Sequence, residues 1–370
     1  MSESPRVALV HERLTEIAGS EHVVEQLATE WPTATLYVPF ADPAAVGPLL
    51  QGRVHTSALD TVYRLTGRRS YAPLLPLVPT MLRHTDFGDA KAVIISHHAM
   101  ALSAVHSAHG IPTIAYVHSP ARWAWDPAMR AGEASGIAGK SALAALAAVA
   151  RRSESTAAPE LTAVVANSTE VADRIKRWWN RESVVVHPPV DTERYSLDES
   201  VAREDFFLLA GRLVPYKRPE IAILAAKAAG VKLVVAGTGR LMEECRRLAG
   251  PQTTFLGRVT DEQMLTLQRS ARALIMPGVE DFGIVPVEAM GCGTPVIAVD
   301  EGGALDTVVP GLSGHLITNA GDEELIATLA SALAAFDSNA YDSHAISVHA
   351  QKFSRATFRQ SMRELVEPLL

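Results

Sequence analysis

Glu280 and Glu288 stand eight residues apart in the run Glu280-Asp281-Phe282-Gly283-Ile284-Val285-Pro286-Val287-Glu288. An apolar run, Ala273–Pro277, precedes them, and the glycine-rich Gly291-Cys292-Gly293-Thr294-Pro295 follows. A helix repeats every ~3.6 residues, so two carboxylates at this spacing share no helical face unless the first precedes the helix. The sequence supports that arrangement. Ala273–Pro277 reads as a buried strand and Gly278–Gly283 as its exit loop, and a helix starting near Ile284 tolerates Pro286 in its first turn. Glu280 then lies at the loop tip and Glu288 on the first turns of the helix, with the amides of Phe282, Gly283 and Ile284 at the helix N-terminus. Carboxylates accept hydroxyl hydrogens and helix N-termini hold anions, so the pattern suits a ligand that is part sugar and part phosphate. Taken alone, a glutamate in a loop followed by one on a helix is usually a solvated pair.

Further blocks shift that balance. The run Gly211-Arg212-Leu213-Val214-Pro215-Tyr216-Lys217 follows an apolar strand and brings two cations to its exit. Arg212 can grip phosphate oxygens with two parallel N–H groups, and Lys217 acts as a point charge. Ligands of open α/β sheets bind at that edge. Ile17-Ala18-Gly19-Ser20-Glu21 opens a helix after the first strand, and Gly19 gives a ligand access to its backbone. In Tyr116-Val117-His118-Ser119-Pro120-Ala121-Arg122-Trp123-Ala124-Trp125-Asp126 a histidine ends an apolar strand, followed by Arg122, Trp125 and Asp126. Indole faces stack on sugar C–H surfaces and Asp accepts hydroxyl hydrogens, so this block suits a carbohydrate. Val235-Ala236-Gly237-Thr238-Gly239 fails as a dinucleotide fingerprint and reads as a tight turn.

The glutamate block resembles the E-x7-E signature of retaining, nucleotide-sugar glycosyltransferases of the GT-B fold, the large family numbered four. The resemblance runs through several blocks over nearly the whole chain. Tyr116–Asp126, Arg212–Lys217 and Gly302-Gly303-Ala304-Leu305-Asp306 are together similar to bacterial O-antigen-type mannosyltransferases that use GDP-mannose, with Asp306 where Glu is commoner. The resemblance implies α/β architecture: two doubly wound Rossmann-like domains facing across a cleft, with a last helix returning to the first. It implies His118, Arg212, Lys217 and Glu280 as the catalytic set, and Arg122, Trp125 and Asp126 on the acceptor side. Donor binding falls to Gly19, Arg212, Lys217, Glu280, Phe282, Gly283, Ile284 and Glu288, with Arg258 and Val259 contacting a nucleobase through main-chain atoms. The implied reaction moves a hexose, mannose first, from a nucleotide diphosphate donor to a glycan or glycolipid with α-linkage. A UDP-glucose or UDP-N-acetylglucosamine donor, or a non-catalytic sugar-binding protein of the same fold, are the alternatives. A phosphorylase of glycogen type would need a longer chain with a pyridoxal-binding lysine; an epimerase of this fold would need no acceptor.

These residues need sheets to carry them. Short apolar runs alternate with helical patterns, which implies parallel sheets buried on both faces. Six strands are expected in the first half, Val7–Val10, Thr35–Val38, Ala92–Ser96, Thr113–His118, Ala163–Asn167 and Ser183–His187. Six more are expected in the second, Phe206–Ala210, Lys232–Ala236, Thr254–Leu256, Ala273–Met276, Pro295–Val299 and His315–Ile317. The diproline His187-Pro188-Pro189 marks the boundary, giving domains over 1–186 and 187–352 and a terminal helix over 353–370 that carries Phe353, Phe358, Met362 and Leu365 at helical spacing.

The chain has 370 residues, enough for two cores. A net charge of −7 gives no basic field for nucleic acid. The two cysteines, Cys245 and Cys292, argue against a disulfide framework and fit a reducing cytoplasm. No secretion leader is visible, and Ser141–Ala150, the longest apolar stretch, is about half of what a bilayer requires. No D-x-D motif and no His/Cys metal spacing occurs. The expectation is therefore that no metal or other cofactor is needed, with cations and helix dipoles neutralising the leaving group. The basic and aromatic stretches Arg64–Arg83 and Arg174–Arg181 suit peripheral contact with the inner face of the cell membrane.

Overall fold

A computed structural model describes residues 6–17, 19–127, 129 and 136–370. Ala18, beside the donor-site candidate Gly19, lies outside them. The chain divides into two compact units. One runs up to Pro189 and takes in Phe358–Leu370, and the other is Val190–Thr357.

The first unit is built on seven parallel strands: β1 (Val7–His11), β2 (Thr35–Val38), β3 (Val54–Thr56), β4 (Ala92–His97), β5 (Thr113–Val117), β6 (Ala163–Ala166) and β7 (Val184–Val185). Their spatial order is β3-β2-β1-β4-β5-β6-β7. The order reverses between β1 and β4, so the connections leave those two strands in opposite directions and open a crevice at their carboxyl ends. The register aligns His11 with Ser96, and Ser96 with Tyr116, so His11, Ser96 and, two residues on, His118 share one face. β1 and β4 are buried along their whole length. Val10 and Ile95 enter the core on one face, Leu9 and Ile94 that on the other. Continuous apolar strands are what such double burial demands.

One strand differs from the sequence reading, which has six here. β3 is three residues long, with His55 and Thr56 exposed. As an edge strand it buries little, so its residues carry no apolar run.

The second unit has six parallel strands: β8 (Phe207–Ala210), β9 (Leu233–Ala236), β10 (Thr253–Gly257), β11 (Ala273–Met276), β12 (Val296–Val299) and β13 (Gly314–Ile317). Their order is β10-β9-β8-β11-β12-β13, with the reversal between β8 and β11.

The unit boundaries fall three to five residues beyond those read from the sequence. Val190 donates to the Phe353 carbonyl at 2.9 Å and pairs with Ser354, which ties the chain after the diproline to the second unit. Phe353 is buried in that unit's core against Phe282. The helix Arg355–Val366 then buries Phe358, Met362 and Val366 in the first unit's core, where Phe358 meets the edge of the Tyr116 ring at 5.5 Å. Arg363 pairs with Glu30 on the same side.

Phe358 is 2% exposed. Phe358→Ala should cost the first unit about 3–5 kcal/mol, the range for emptying a buried aromatic site. Urea unfolding followed by tryptophan fluorescence checks this; a loss below ~1 kcal/mol would mean that the helix contributes little to that core.

Candidate active site

In the second unit the strands flanking the reversal deliver the two chemical loops. The basic loop leaves β8 at Gly211 and closes in a short turn over Pro215–Lys217. The acidic loop leaves β11 at Pro277 and ends where the helix Ile284–Gly291 begins, capped by Gly283 at φ +88°. Lys217 Nζ donates to Glu280 Oε1 at 2.7 Å, and both side chains are about four-fifths buried, at 18% and 22% exposure. Arg212 is exposed and donates to the Tyr216 hydroxyl at 3.2 Å.

Two glycines let these loops nest. A Cβ on Gly278 would lie 2.4 Å from the Tyr216 carbonyl oxygen, and one on Gly303 would lie 2.3 Å from the Phe282 backbone. The Gly303 amide donates to the Glu280 carbonyl at 2.9 Å. The acidic loop is therefore held between the basic loop on one side and Gly302-Gly303 on the other. No side chain larger than hydrogen fits at either contact.

Glu288 lies on the helix, partly buried, with Gln268 Nε2 at 3.4 Å from Oε2. Phe282 is a core residue, and Gly283 and Ile284 form the helix start. Arg258 is exposed just past β10, and Val259 packs against the core. The structure thus gathers Arg212, Lys217, Glu280 and the Gly283–Ile284 helix start at one sheet edge. Arg258 and Val259 follow β10, the outermost strand on the β8 side.

In the first unit, three imidazoles meet at the crevice. The rings of His11, His98 and His118 lie 6.0 to 6.5 Å apart, edge to face. Ser96 Oγ bridges His11 Nδ1 at 3.0 Å and His118 Nε2 at 2.8 Å. Burial pushes the His118 pKa well below the usual imidazole range, and the neighbouring His98 and His11 reinforce it. Burial likewise lowers His98 to about 4 against the attraction of Glu12, with His11 and Arg13 adding to the fall. Gly19 opens the helix Gly19–Glu30, whose Glu21 reaches His11 Nε2 at 3.3 Å.

Beneath this lies a buried charged network that sequence reasoning missed. Glu12 accepts the amides of Ala99, Met100 and Ala101, each at 2.8 Å, and contacts His97 Nδ1 at 3.1 Å. Glu154, fully buried, accepts from His97 Nε2 at 2.9 Å, Trp179 Nε1 at 3.1 Å, Trp125 Nε1 and the Ala121 amide at 2.8 Å. Burial opposes charge on His97, but the hydrogen bonds to Glu12 and Glu154 and their charges overcome it and raise its pKa to about 9.

Trp125 is therefore an anchor. Its N–H serves Glu154, and its ring stacks on Trp178 at 5.8 Å with planes 6° apart. Sequence reading offers that face to a sugar; in the structure another indole covers it. Arg122 reaches Met129 Sδ at 3.5 Å, and the Asp126 amide closes the turn on the Arg122 carbonyl at 2.8 Å. In the stretch Arg174–Arg181, Arg174 and Trp179 are buried, with Arg174 paired to Glu170, while Lys176 and Arg177 are exposed. The signal that marks His118, an imidazole ending an apolar run, also marks His11 and His97 and was open to use.

Two doubly wound parallel sheets, each with its polar residues at the strand reversal, define the GT-B glycosyltransferase fold. Residues 17–194 match Glycosyltransferase Family 4 and residues 197–341 match Glycosyl transferases group 1. Together the two matches support a glycosyltransferase of the group 1 type, and the fold is that of GT-B enzymes. The D-inositol 3-phosphate glycosyltransferase of Mycobacterium avium (strain 104) is 33% identical over 49% of this chain and 50% of that protein, so the chain spans about half of that relative's length. Among solved structures, Anabaena Alr3699/HepE in complex with UDP and glucose superimposes with a TM-score of 0.70 at 20% identity, over 98% of this chain and 99% of that one. The sucrose-phosphate synthase of Thermosynechococcus elongatus gives 0.69 at 18% identity, over 99% of both. No helix among the described residues is long and apolar enough to cross a membrane.

The His97 network has a pH signature. Its folded pKa, about 9, lies above the ordinary 6.5, so the stability it contributes is complete below 6.5 and is lost as pH rises through 9. The urea midpoint of the wild type should fall across that window, and the fall should flatten in His97→Gln. Equal slopes in the two proteins would show that His97 is not the group titrating.

Proposed function

We propose that the protein is a retaining hexosyltransferase that moves a sugar, mannose from GDP-mannose in the first reading, to a hydroxyl of a glycan or glycolipid with α-linkage. The observation that carries it is the Lys217–Glu280 pair at 2.7 Å, between the strands that flank the reversal of the second sheet. A cation beside a hydroxyl acceptor is what the junction between a donor's phosphate and its sugar requires. As the glycosidic bond breaks, positive charge grows on the sugar ring and negative charge on the departing diphosphate. Lys217 and Arg212 stabilise the latter without reorganising. Glu280 holds a sugar hydroxyl and Glu288 the ribose. The leaving phosphate takes the acceptor proton on the same face, and His118 serves a carbohydrate hydroxyl.

The second reading is a UDP-sugar donor, favoured by the likeness to a fold crystallised with UDP and glucose. Membrane approach by the first unit is supported by the helix Ala58–Leu65, where Leu65 is 82% exposed beside the basic Arg64, Arg68 and Arg69.

Turnover with GDP-mannose, UDP-glucose, UDP-N-acetylglucosamine and GDP-fucose separates the donors; turnover with UDP-sugars only would replace the first reading by the second. Arg212→Ala and Lys217→Ala should each lose about 3 kcal/mol of transition-state stabilisation with the fold intact. Glu288→Gln should weaken nucleotide diphosphate by roughly 1.5–3 kcal/mol, whereas Glu280→Gln should spare nucleotide binding and lower turnover. The reverse pattern in calorimetry would turn the donor around in the site.

The same two cations lead us to expect that turnover survives EDTA. Complete loss on chelation, restored by magnesium or manganese, would assign charge neutralisation to a metal instead.

A further inference from the structure

Three side chains at the carboxyl ends of β1, β4 and β5 and one from the helix Gly19–Glu30 form one hydrogen-bonded chain. Glu21 Oε1 meets His11 Nε2 at 3.3 Å, His11 Nδ1 meets Ser96 Oγ at 3.0 Å, and Ser96 Oγ meets His118 Nε2 at 2.8 Å. His11 and Ser96 are buried, and Glu21 is 4% exposed. Ser20 Oγ donates to the other Glu21 oxygen at 2.9 Å. Burial opposes charge on Glu21, but the bond and charge of His11 and the bond from Ser20 hold its pKa down at about 2.

Proton counting sets the roles along this chain. A carboxylate only accepts, so the His11 nitrogen facing Glu21 carries a hydrogen. In a neutral His11 the other nitrogen is bare and takes the single hydroxyl hydrogen of Ser96. The serine oxygen is then an acceptor, and the His118 nitrogen that meets it must be N–H. His118 Nδ1 is left bare. With His11 doubly protonated the order reverses: Ser96 donates to His118 Nε2, and His118 carries its hydrogen on Nδ1. The other titratable groups facing these rings are His98 and Tyr116, in ring contact, with Arg13 bonded to His98 Nε2 at 3.1 Å and the Glu12–His97 pair behind them.

We propose that Glu21, His11 and Ser96 are positioning residues that hold His118 in its Nε2–H tautomer, so that Nδ1 accepts the hydrogen of a carbohydrate hydroxyl. This deepens the glycosyltransferase reading and rests on it for the identity of the ligand. The relay itself rests on the distances alone. His118 works as a neutral acceptor, not as a cation on the diphosphate, and its lowered pKa agrees with that role.

Long-range proton–nitrogen NMR of the histidine-labelled protein at about pH 8.5, where an ordinary imidazole is neutral, reads the tautomer directly. The His118 signals are assigned by their loss in His118→Gln. The wild type should show Nε2–H. Ser96→Ala and Glu21→Gln should move the ring to Nδ1–H or a mixture, and Ser96→Thr, which keeps the hydroxyl, should retain the wild-type pattern. In transfer assays, Ser96→Ala should lower kcat on the order of tenfold or more, with the donor KM within about twofold. A wild-type Nδ1–H ring, or a tautomer unmoved in both Ser96→Ala and Glu21→Gln, overturns the relay. Should the tautomer respond as expected while no nucleotide sugar supports turnover, the relay stands and the sugar hydroxyl as its ligand falls.

Discussion

Everything chemical in this protein depends on where strand order reverses. A parallel sheet wound outward in both directions from its first strand must leave one gap between neighbouring strands whose exits turn apart. Polar groups collect there because loops at that gap are not covered by a crossover helix. In the second unit the gap between β8 and β11 is flanked by the loops of Lys217 and Glu280, sixty-three positions apart in the chain. In the first, the gap between β1 and β4 holds His11 beside Ser96.

The two units meet this constraint with different chemistry. The second presents charge at the surface. Its Lys217–Glu280 pair is only partly withdrawn from solvent, so each group offsets the other's desolvation without being locked away. A donor that brings its own phosphate and hydroxyls can replace each half of the pair. The first unit presents three packed imidazoles over a buried ion network. There the single carboxylate of Glu154 gathers donors from β4, from the turn after β5 and from the helix Thr169–Trp179. Removing it would leave several buried donors unmatched at once, each at a cost of about 1–3 kcal/mol.

Much of this was legible in the sequence, and the reasons are physical. Buried parallel strands must be continuously apolar, so the central strands announce themselves; β3, a three-residue edge strand with His55 and Thr56 exposed, carries no such run. Glu280 and Glu288 were legible because Pro286 and Gly283 admit a helix start at Ile284. What could not be read was partnership. Nothing local to Lys217 says that Glu280 sits against it, since sheet order decides that. Trp125 illustrates the same limit. Its residue type suits sugar stacking, but Trp178 and Glu154, distant in sequence, occupy its face and its N–H.

The glycine contacts show why residue type and position must be considered together at such a site. A loop that carries Glu280 at its tip must approach two other loops at backbone distance, or the carboxylate would swing away from Lys217. Gly278 permits the first approach and Gly303 the second. The carbonyl of Glu280 is then bonded by Gly303 while its side chain is bonded by Lys217, so one residue is fixed at both ends. Rigid placement of that kind is what electrostatic stabilisation of a short-lived charge needs, because groups that must first reorient return little of their interaction energy to the transition state.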